Sequence, residues 1–295
     1  MKVFVTGASG FIGSALIPEL LKAGHQVLGL ARSEESAKKL TEAGAEVHRG
    51  ALDDLDSLTS GAKAADAVIH LGFIHDFTIF AAASETDRRA IEALGDALAG
   101  TNRPLVTTSG VMGLNAPDRL ATEQDKHLPV SPRVTDTTTQ AQVAKGVRAS
   151  VVRLAPLVHD ASYCGFVDLF AQAARRTGTV VYVGDGNNRW SALHRLDAAR
   201  LFHLVLEQGV AGASYHGVAE EGIPVREIMT AVGQELNLPV ASKSPEEAPQ
   251  FLGPIAGFVA MDAPSSSALT QQQLGWHPTQ PGLLADIKQG QYLQG

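Results

Sequence analysis

Cysteine occurs once in the 295 residues, at Cys164, which excludes an internal disulfide and a Cys-rich zinc site. Basic charge is also scarce: 24 Lys and Arg face 31 Asp and Glu, giving a net charge of −7. No basic run offers the clustered charge that phosphate neutralisation requires, so a nucleic-acid partner is not expected. No stretch reaches the roughly 18 consecutive apolar residues of a membrane span. The opening MKVFVTGASG carries no charged, apolar and cleavage regions of a secretory leader. Aromatic residues make up 5% and tyrosine appears four times, so any chemistry needing a phenol has few candidates. What remains is a globular composition, 44% apolar and 19% charged, with length for one large domain or two ordinary ones. A soluble, cytoplasmic protein is expected, with neither nucleic acid nor membrane as partner.

Two periodicities alternate along the first half. Short apolar runs at residues 3–5, 26–30, 66–71, 104–108 and 149–154 read as strands buried on both faces. Between them, residues 11–23 place Ile12, Leu16 and Leu20 at helical spacing before Gly24, and residues 34–43 end at Gly44. Such alternation predicts an α/β fold, a doubly wound parallel sheet of Rossmann type with helices on both faces. Pro18 is expected to kink the first helix or cost it stability. Beyond residue 155, helices are expected over 166–176, 195–207 and 223–236 and a strand over 214–218, while six prolines between 239 and 278 predict an irregular segment with short helices. The division is therefore a dinucleotide-binding domain over 1–155 and a smaller, partly interleaved substrate-binding part over 156–295.

Between the first strand and first helix lies Thr6-Gly7-Ala8-Ser9-Gly10-Phe11-Ile12-Gly13. Gly7 suits a tight turn, Gly10 lets the backbone approach a pyrophosphate, and Gly13 allows close helix packing, with helix amides facing the anion. Gly7, Ser9, Gly10, Phe11, Ile12 and Gly13 are thus candidate cofactor contacts. No Gly-Lys-Ser/Thr follows, which excludes a P-loop. At the end of the second strand an acidic residue would hold the ribose of NAD, but Arg32 and Ser33 stand there. A guanidinium and a hydroxyl suit a 2′-phosphate, so NADP(H), working as NADPH, is expected. Glu34 remains an alternative ribose ligand.

Together with His70-Leu71-Gly72-Phe73, Thr107-Thr108-Ser109-Gly110, Arg153-Leu154-Ala155-Pro156 and Gly184-Asp185-Gly186-Asn187-Asn188-Arg189-Trp190, the glycine loop resembles the short-chain dehydrogenase/reductase superfamily. The likeness is to its extended and atypical branch, which includes sugar-nucleotide epimerase- and dehydratase-like proteins, and it covers nearly the whole chain. It implies that Leu52 and Asp53 lie near the adenine, Leu71, Gly72 and Phe73 near the ribose and pyrophosphate, and Pro156, Leu157 and Val158 near the nicotinamide. Standard members also use a Tyr and a Lys four residues later, with a Ser that binds the substrate oxygen. Here the four tyrosines, at 163, 182, 215 and 292, have no such Lys; Pro132 and Asp136 align where the pair would sit.

Ser109 matches the family serine, and Tyr163 is the candidate proton donor, with His75 and His159 as further imidazoles. Arg189 fits either a substrate phosphate or an ion pair, and His194 and Asp197 are expected to fix the segment before a helix. No His-Glu-x-x-His or hydrolase Gly-x-Ser-x-Gly occurs, and no metal is expected. The implied activity is NADPH-dependent reduction of a small carbonyl or related unsaturated compound. Alternatives are a non-catalytic NADP(H)-binding redox sensor and, further off, a sugar-nucleotide epimerase or dehydratase. The chain is expected as a monomer or a homodimer, with residues 78–98 as a dimer face or a cover for the sheet.

Overall fold

The computed structural model describes residues 1–129, 131–290 and 293. Strands β1 (Lys2–Thr6), β2 (Gln26–Ala31), β3 (Glu46–Arg49), β4 (Ala67–His70), β5 (Pro104–Gly110) and β6 (Arg148–Leu154) line up in one parallel sheet. Further on come β7 (Leu157–Asp160), β8 (Tyr163–Cys164), β9 (Val180–Val183), β10 (Arg189–His194), β11 (Ser214–Gly217), β12 (Glu220–Pro224) and β13 (Val240–Lys243). In the seven-stranded sheet the order is β11-β6-β5-β4-β1-β2-β3, so the chain reverses direction beside β1. Ligands of such sheets sit at that switch point, outside the carboxyl ends of the strands. Val3, Phe4, Val5, Val68 and Ile69 are wholly buried, as a sheet covered on both faces requires.

Helices α1 (Gly13–Lys22), α2 (Glu34–Glu42), α3 (Leu55–Lys63), α4 (Phe80–Leu98), α5 (Thr135–Val143), α6 (Gly165–Thr177), α7 (Arg195–Gln208) and α8 (Val225–Leu236) follow the expected alternation. α1 begins at Gly13, two residues later than periodicity suggests, because residues 11 and 12 complete the glycine turn. Pro18 lies inside α1 without ending it. Its ring and Ser14, whose carbonyl loses its helical partner, are both exposed, on the solvent side of the helix. Residues 223 and 224 belong to β12, and the last helix of that region starts at Val225.

A boundary at residue 155 cuts across the sheet. β11 pairs in parallel with β6, Ser214 to Val151, and α7 packs on the same layer, so residues after 155 complete the dinucleotide fold. A second core gathers around Trp190, Phe170 and Met229, where β7, β8, β10 and β12 form a four-stranded sheet. Between residues 239 and 278 the chain forms short helices and β13, as the prolines suggest. No helix of the described residues is long and apolar enough to cross a membrane.

Candidate functional site

The glycine turn closes on itself through Gly10 N–H to Gly7 O at 3.0 Å. Gly7 has φ +68°, and a Cβ there would stand 2.8 Å from Gly72 N. A Cβ on Gly13 would stand 2.3 Å from Gly7 O and 2.5 Å from Ala8 O, so only glycine allows α1 to start this close to its own loop. These two glycines pack the turn tightly against its own backbone and the chain just after β4, while the exposed Gly10 presents no side chain over the start of α1, as a pyrophosphate-binding turn requires. Ser9, Phe11 and Ile12 stand half-buried on the rim.

A buried polar chain runs from this cradle toward α5. Thr6 Oγ1 accepts from Gly72 N–H (3.1 Å) and meets His70 Nδ1 (2.8 Å), and His70 Nε2 reaches Asp87 Oδ1 (3.2 Å). Asp87 also accepts from Thr135 Oγ1 at 2.5 Å, and Arg133 Nε stands 3.7 Å away. Burial works to raise the Asp87 pKa, but the His70 hydrogen bond and the Arg133 charge outweigh it and hold it below the usual value. The Leu52 side chain closes on Gly72, while Asp53 is exposed and Leu71 and Phe73 are half-buried.

At the carboxyl end of β5, Ser109 is buried and shares a sheet face with Thr107, whose Oγ1 lies 2.7 Å from Thr139 Oγ1 on α5. Arg133, just before α5, donates Nη2 to the carbonyl of Thr108 (2.6 Å) and lies 4.1 Å over the Phe73 ring. Pro132 and Asp136 align with the family's Tyr and Lys. Pro132 is exposed, and Asp136 is tied to Arg153 Nε at 2.5 Å, so neither replaces the missing pair. Arg133, which lies between those two positions, is instead tied to the carbonyl of Thr108, the residue before Ser109, and so brings a guanidinium to this end of β5.

Tyr163 is 41% exposed and packs edge-on to Phe11, ring centroids 5.1 Å apart. Arg195, paired with Asp160, covers the same Phe11 ring at 5.0 Å. Partial burial, then the Asp168 charge, raises the Tyr163 pKa, so the phenol keeps its proton at neutral pH. His75 faces Phe73 (5.2 Å); desolvation by that loop and the Arg133 charge lower its pKa, although part of the residue reaches solvent. His159 is buried with its Nδ1 on Asp286 at 2.7 Å, a structural pairing. Burial pushes the Cys164 thiol up to about 12, which removes it as a nucleophile. Pro156 and Val158 are half-buried, whereas the Leu157 side chain is wholly inside the second core and leaves only its backbone for the cleft.

At the end of β2, Arg32 is exposed and makes no ion pair among the described residues. Ser33 caps α2 in a reciprocal box with Ser36 (3.0 and 3.2 Å). Glu34, the competing ribose ligand, is held by Arg49 Nη2 at 2.6 Å. Arg189 is paired with Asp262 at 2.8 Å. His194 caps α7 through Leu196 N–H, and Asp197 accepts from the backbone of Thr279 and Gln280, so both fix the chain around α7.

A parallel sheet with a glycine cradle at its switch point defines a dinucleotide-binding protein of Rossmann type. Residues 3–218 match the model of the NAD dependent epimerase/dehydratase family, and the chain belongs to that family of NAD(P)-dependent enzymes. An uncharacterized protein of Schizosaccharomyces pombe is 47% identical over 99% of this chain and 100% of its own length. The 2-alkyl-3-oxoalkanoate reductase of Stenotrophomonas maltophilia is 28% identical over 83% of this chain and 78% of its own. Among solved structures, dTDP-glucose 4,6-dehydratase from Streptomyces venezuelae, with NAD and TYD bound, superposes with a TM-score of 0.77 at 20% identity, covering 98% of this chain and 96% of that one. The fold and the family expected from the sequence are therefore those found.

Proposed function

We propose that the protein is an NADPH-dependent oxidoreductase that reduces the carbonyl of a small, partly apolar compound. The observation that carries this reading is the buried Ser109 at the carboxyl end of β5, with the Arg133 guanidinium tied to the preceding carbonyl, that of Thr108. Gly7, Ser9, Gly10, Phe11, Ile12 and Gly13 would hold the pyrophosphate, Leu52 and Asp53 the adenine, Leu71 to Phe73 the ribose, and Pro156 to Val158 the nicotinamide ring. Arg32 and the Ser33 hydroxyl would select the 2′-phosphate, with the exposed carboxylate of Glu34 turned to Arg49. The reduced cofactor supplies a hydride to the substrate carbon.

Ser109 donates its hydroxyl to the substrate oxygen and fixes its position. The Arg133 guanidinium adds a preorganised positive potential where negative charge grows on that oxygen. Tyr163, exposed beside Phe11 of the glycine turn and protonated at neutral pH, is the group assigned to give the proton. Phe77 contacts Phe166 at 5.5 Å and Phe258 at 5.3 Å, and Phe80 contacts Phe73 at 6.0 Å. This aromatic wall beside Arg133 favours a substrate with an apolar body, in keeping with the name of the ketone-reducing relative.

A second reading, a redox sensor that binds NADP(H) without turnover, is favoured by one observation: Asp136, at the place of the family lysine, is committed to Arg153. The test is NADPH oxidation across a panel of aliphatic and aryl ketones and aldehydes. Sustained substrate-dependent oxidation supports the reductase. Tight NADPH binding with no turnover on any member overturns it in favour of the sensor.

A further inference from the structure

We infer that His25, His203 and Glu207 form a site for a divalent transition metal of the zinc type, at the end of the sheet away from the cofactor cradle. His25 follows Gly24 in the turn between α1 and β2, and α7 carries His203 and Glu207 one turn apart. α7 starts at Arg195 beside the glycine loop, so Glu207 lies about 18 Å further along the helix. One ligand atom from each of the three residues falls within 4.8 Å of the others.

The distances are those of a coordination polyhedron. His25 Nε2 and His203 Nε2 lie 3.3 and 3.4 Å from the same oxygen, Glu207 Oε1. Zinc bonds to nitrogen and oxygen of about 2.0–2.1 Å in a tetrahedron place ligand atoms about 3.3–3.4 Å apart. Both Nε2 atoms are buried and have no hydrogen-bond partner, and the His25 side chain is only 8% exposed. The rings stand nearly perpendicular, 79° with centroids 5.6 Å apart, so both nitrogens converge without stacking.

One outer contact orients a ligand. His203 Nδ1 faces Glu19 Oε1 on α1 at 3.2 Å, the carboxylate–imidazole pairing that fixes the proton on Nδ1 and frees Nε2 for a metal. The Met1 amine lies 3.4 Å from His25 Nδ1, at the limit of hydrogen-bond length; as a donor it favours the proton on Nε2, so metal binding at Nε2 requires the other tautomer and the loss of that contact. With Nδ1 protonated, the His203 Nε2 lone pair would face a carboxylate oxygen, a repulsion that a cation between them converts to attraction. Glu19 and Glu207 together offer two negative charges to a divalent ion, and Glu207, 40% exposed, leaves an open side for water as a fourth ligand. Two imidazoles and one carboxylate favour zinc or cobalt over calcium and magnesium, which take oxygen ligands.

The competing arrangement has no metal: an imidazolium at His203 held between Glu19 and Glu207. The experiment uses the full chain without a histidine tag, stripped with chelator and titrated with Co2+ and then Zn2+. The expected result is one ion per chain at micromolar or lower concentration, a tetrahedral Co2+ absorption band displaced by Zn2+, and a Zn2+-dependent rise in thermal midpoint. Glu207→Gln, on an exposed side chain, should fold normally and bind Zn2+ at least tenfold more weakly; His203→Asn should lose the Co2+ band. Absence of stoichiometric uptake, or uptake equal in wild type and both variants, overturns the proposal. Neither outcome depends on turnover at the cofactor cleft.

Discussion

Arg133 and Phe73 meet face to face, the guanidinium carbon 4.1 Å over the ring, with Nη2 anchored on the carbonyl that precedes Ser109. The contact joins the loop after β4 to the start of α5 across the end of the sheet, where the family places its Tyr and Lys. A planar cation suits this position because it can stack and donate a hydrogen bond at once, and Lys cannot do both. Arg133→Lys should therefore lower kcat at least tenfold with little change in NADPH affinity. Equal turnover in the variant, measured by NADPH oxidation, would remove Arg133 from the proposed chemistry.

Ser109→Ala removes a single hydroxyl from a buried position and should fold as the wild type. Loss of a preorganised donor at a developing oxyanion costs on the order of 100-fold in kcat. Titration of protein fluorescence with NADPH should give an unchanged Kd. A variant that turns over normally contradicts the assigned role.

Arg32→Ala tests cofactor choice. A hydrogen bond to a charged group contributes about 1.5–3 kcal/mol, so NADPH should bind roughly 10- to 100-fold more weakly. NADH, which lacks the 2′-phosphate, should be unaffected. If both cofactors weaken alike, Arg32 is not reading that phosphate.

His216 predicts an acid limit on stability. It is fully buried; burial first, and Arg153 nearby, push its pKa down to about 4. Its Nδ1 donates to Ser266 O at 2.8 Å, which leaves Nε2 facing Arg153, 3.4 Å away. Because the folded pKa lies below the ordinary value of about 6.5, the unfolded chain takes up the proton first. The contribution is complete above about pH 6.5 and is lost as pH falls toward 4, about 3 kcal/mol in all. Urea unfolding between pH 7 and 4.5 should show this slope, and His216→Gln should flatten it. An unchanged slope would place the acid sensitivity elsewhere.

Much of the fold was legible because local rules and global packing agree. Gly24 and Gly44 stop helices where positive φ is observed, and the apolar runs become strands buried on both faces. The glycine loop was equally legible, since Gly7 and Gly13 are required by contacts within a few residues of each other or with the next strand's end. Tyr163 was found as one of few phenols; Tyr292 lies outside the described residues. Arg133 was not legible in the sequence, because a guanidinium is neither group of the family's pair and only its contacts with the Thr108 carbonyl and the Phe73 ring show its place. The proposed metal site has no local motif for a similar reason: His203 and Glu207 are four apart, but the third candidate ligand is residue 25.

The sequence by itself determined the parallel sheet, the cradle and the loss of the usual catalytic pair, because each depends on periodicity, on glycine at fixed spacing or on counting. Tertiary structure decided the rest. Only packing shows that Glu34 is spent on Arg49, that Asp136 is spent on Arg153, and that Arg133 is anchored beside Ser109. Partner choice among charged side chains is set by which elements lie within a few ångströms of one another, and contacts such as that of His25 with Glu207, far apart in sequence, leave no local trace in the chain.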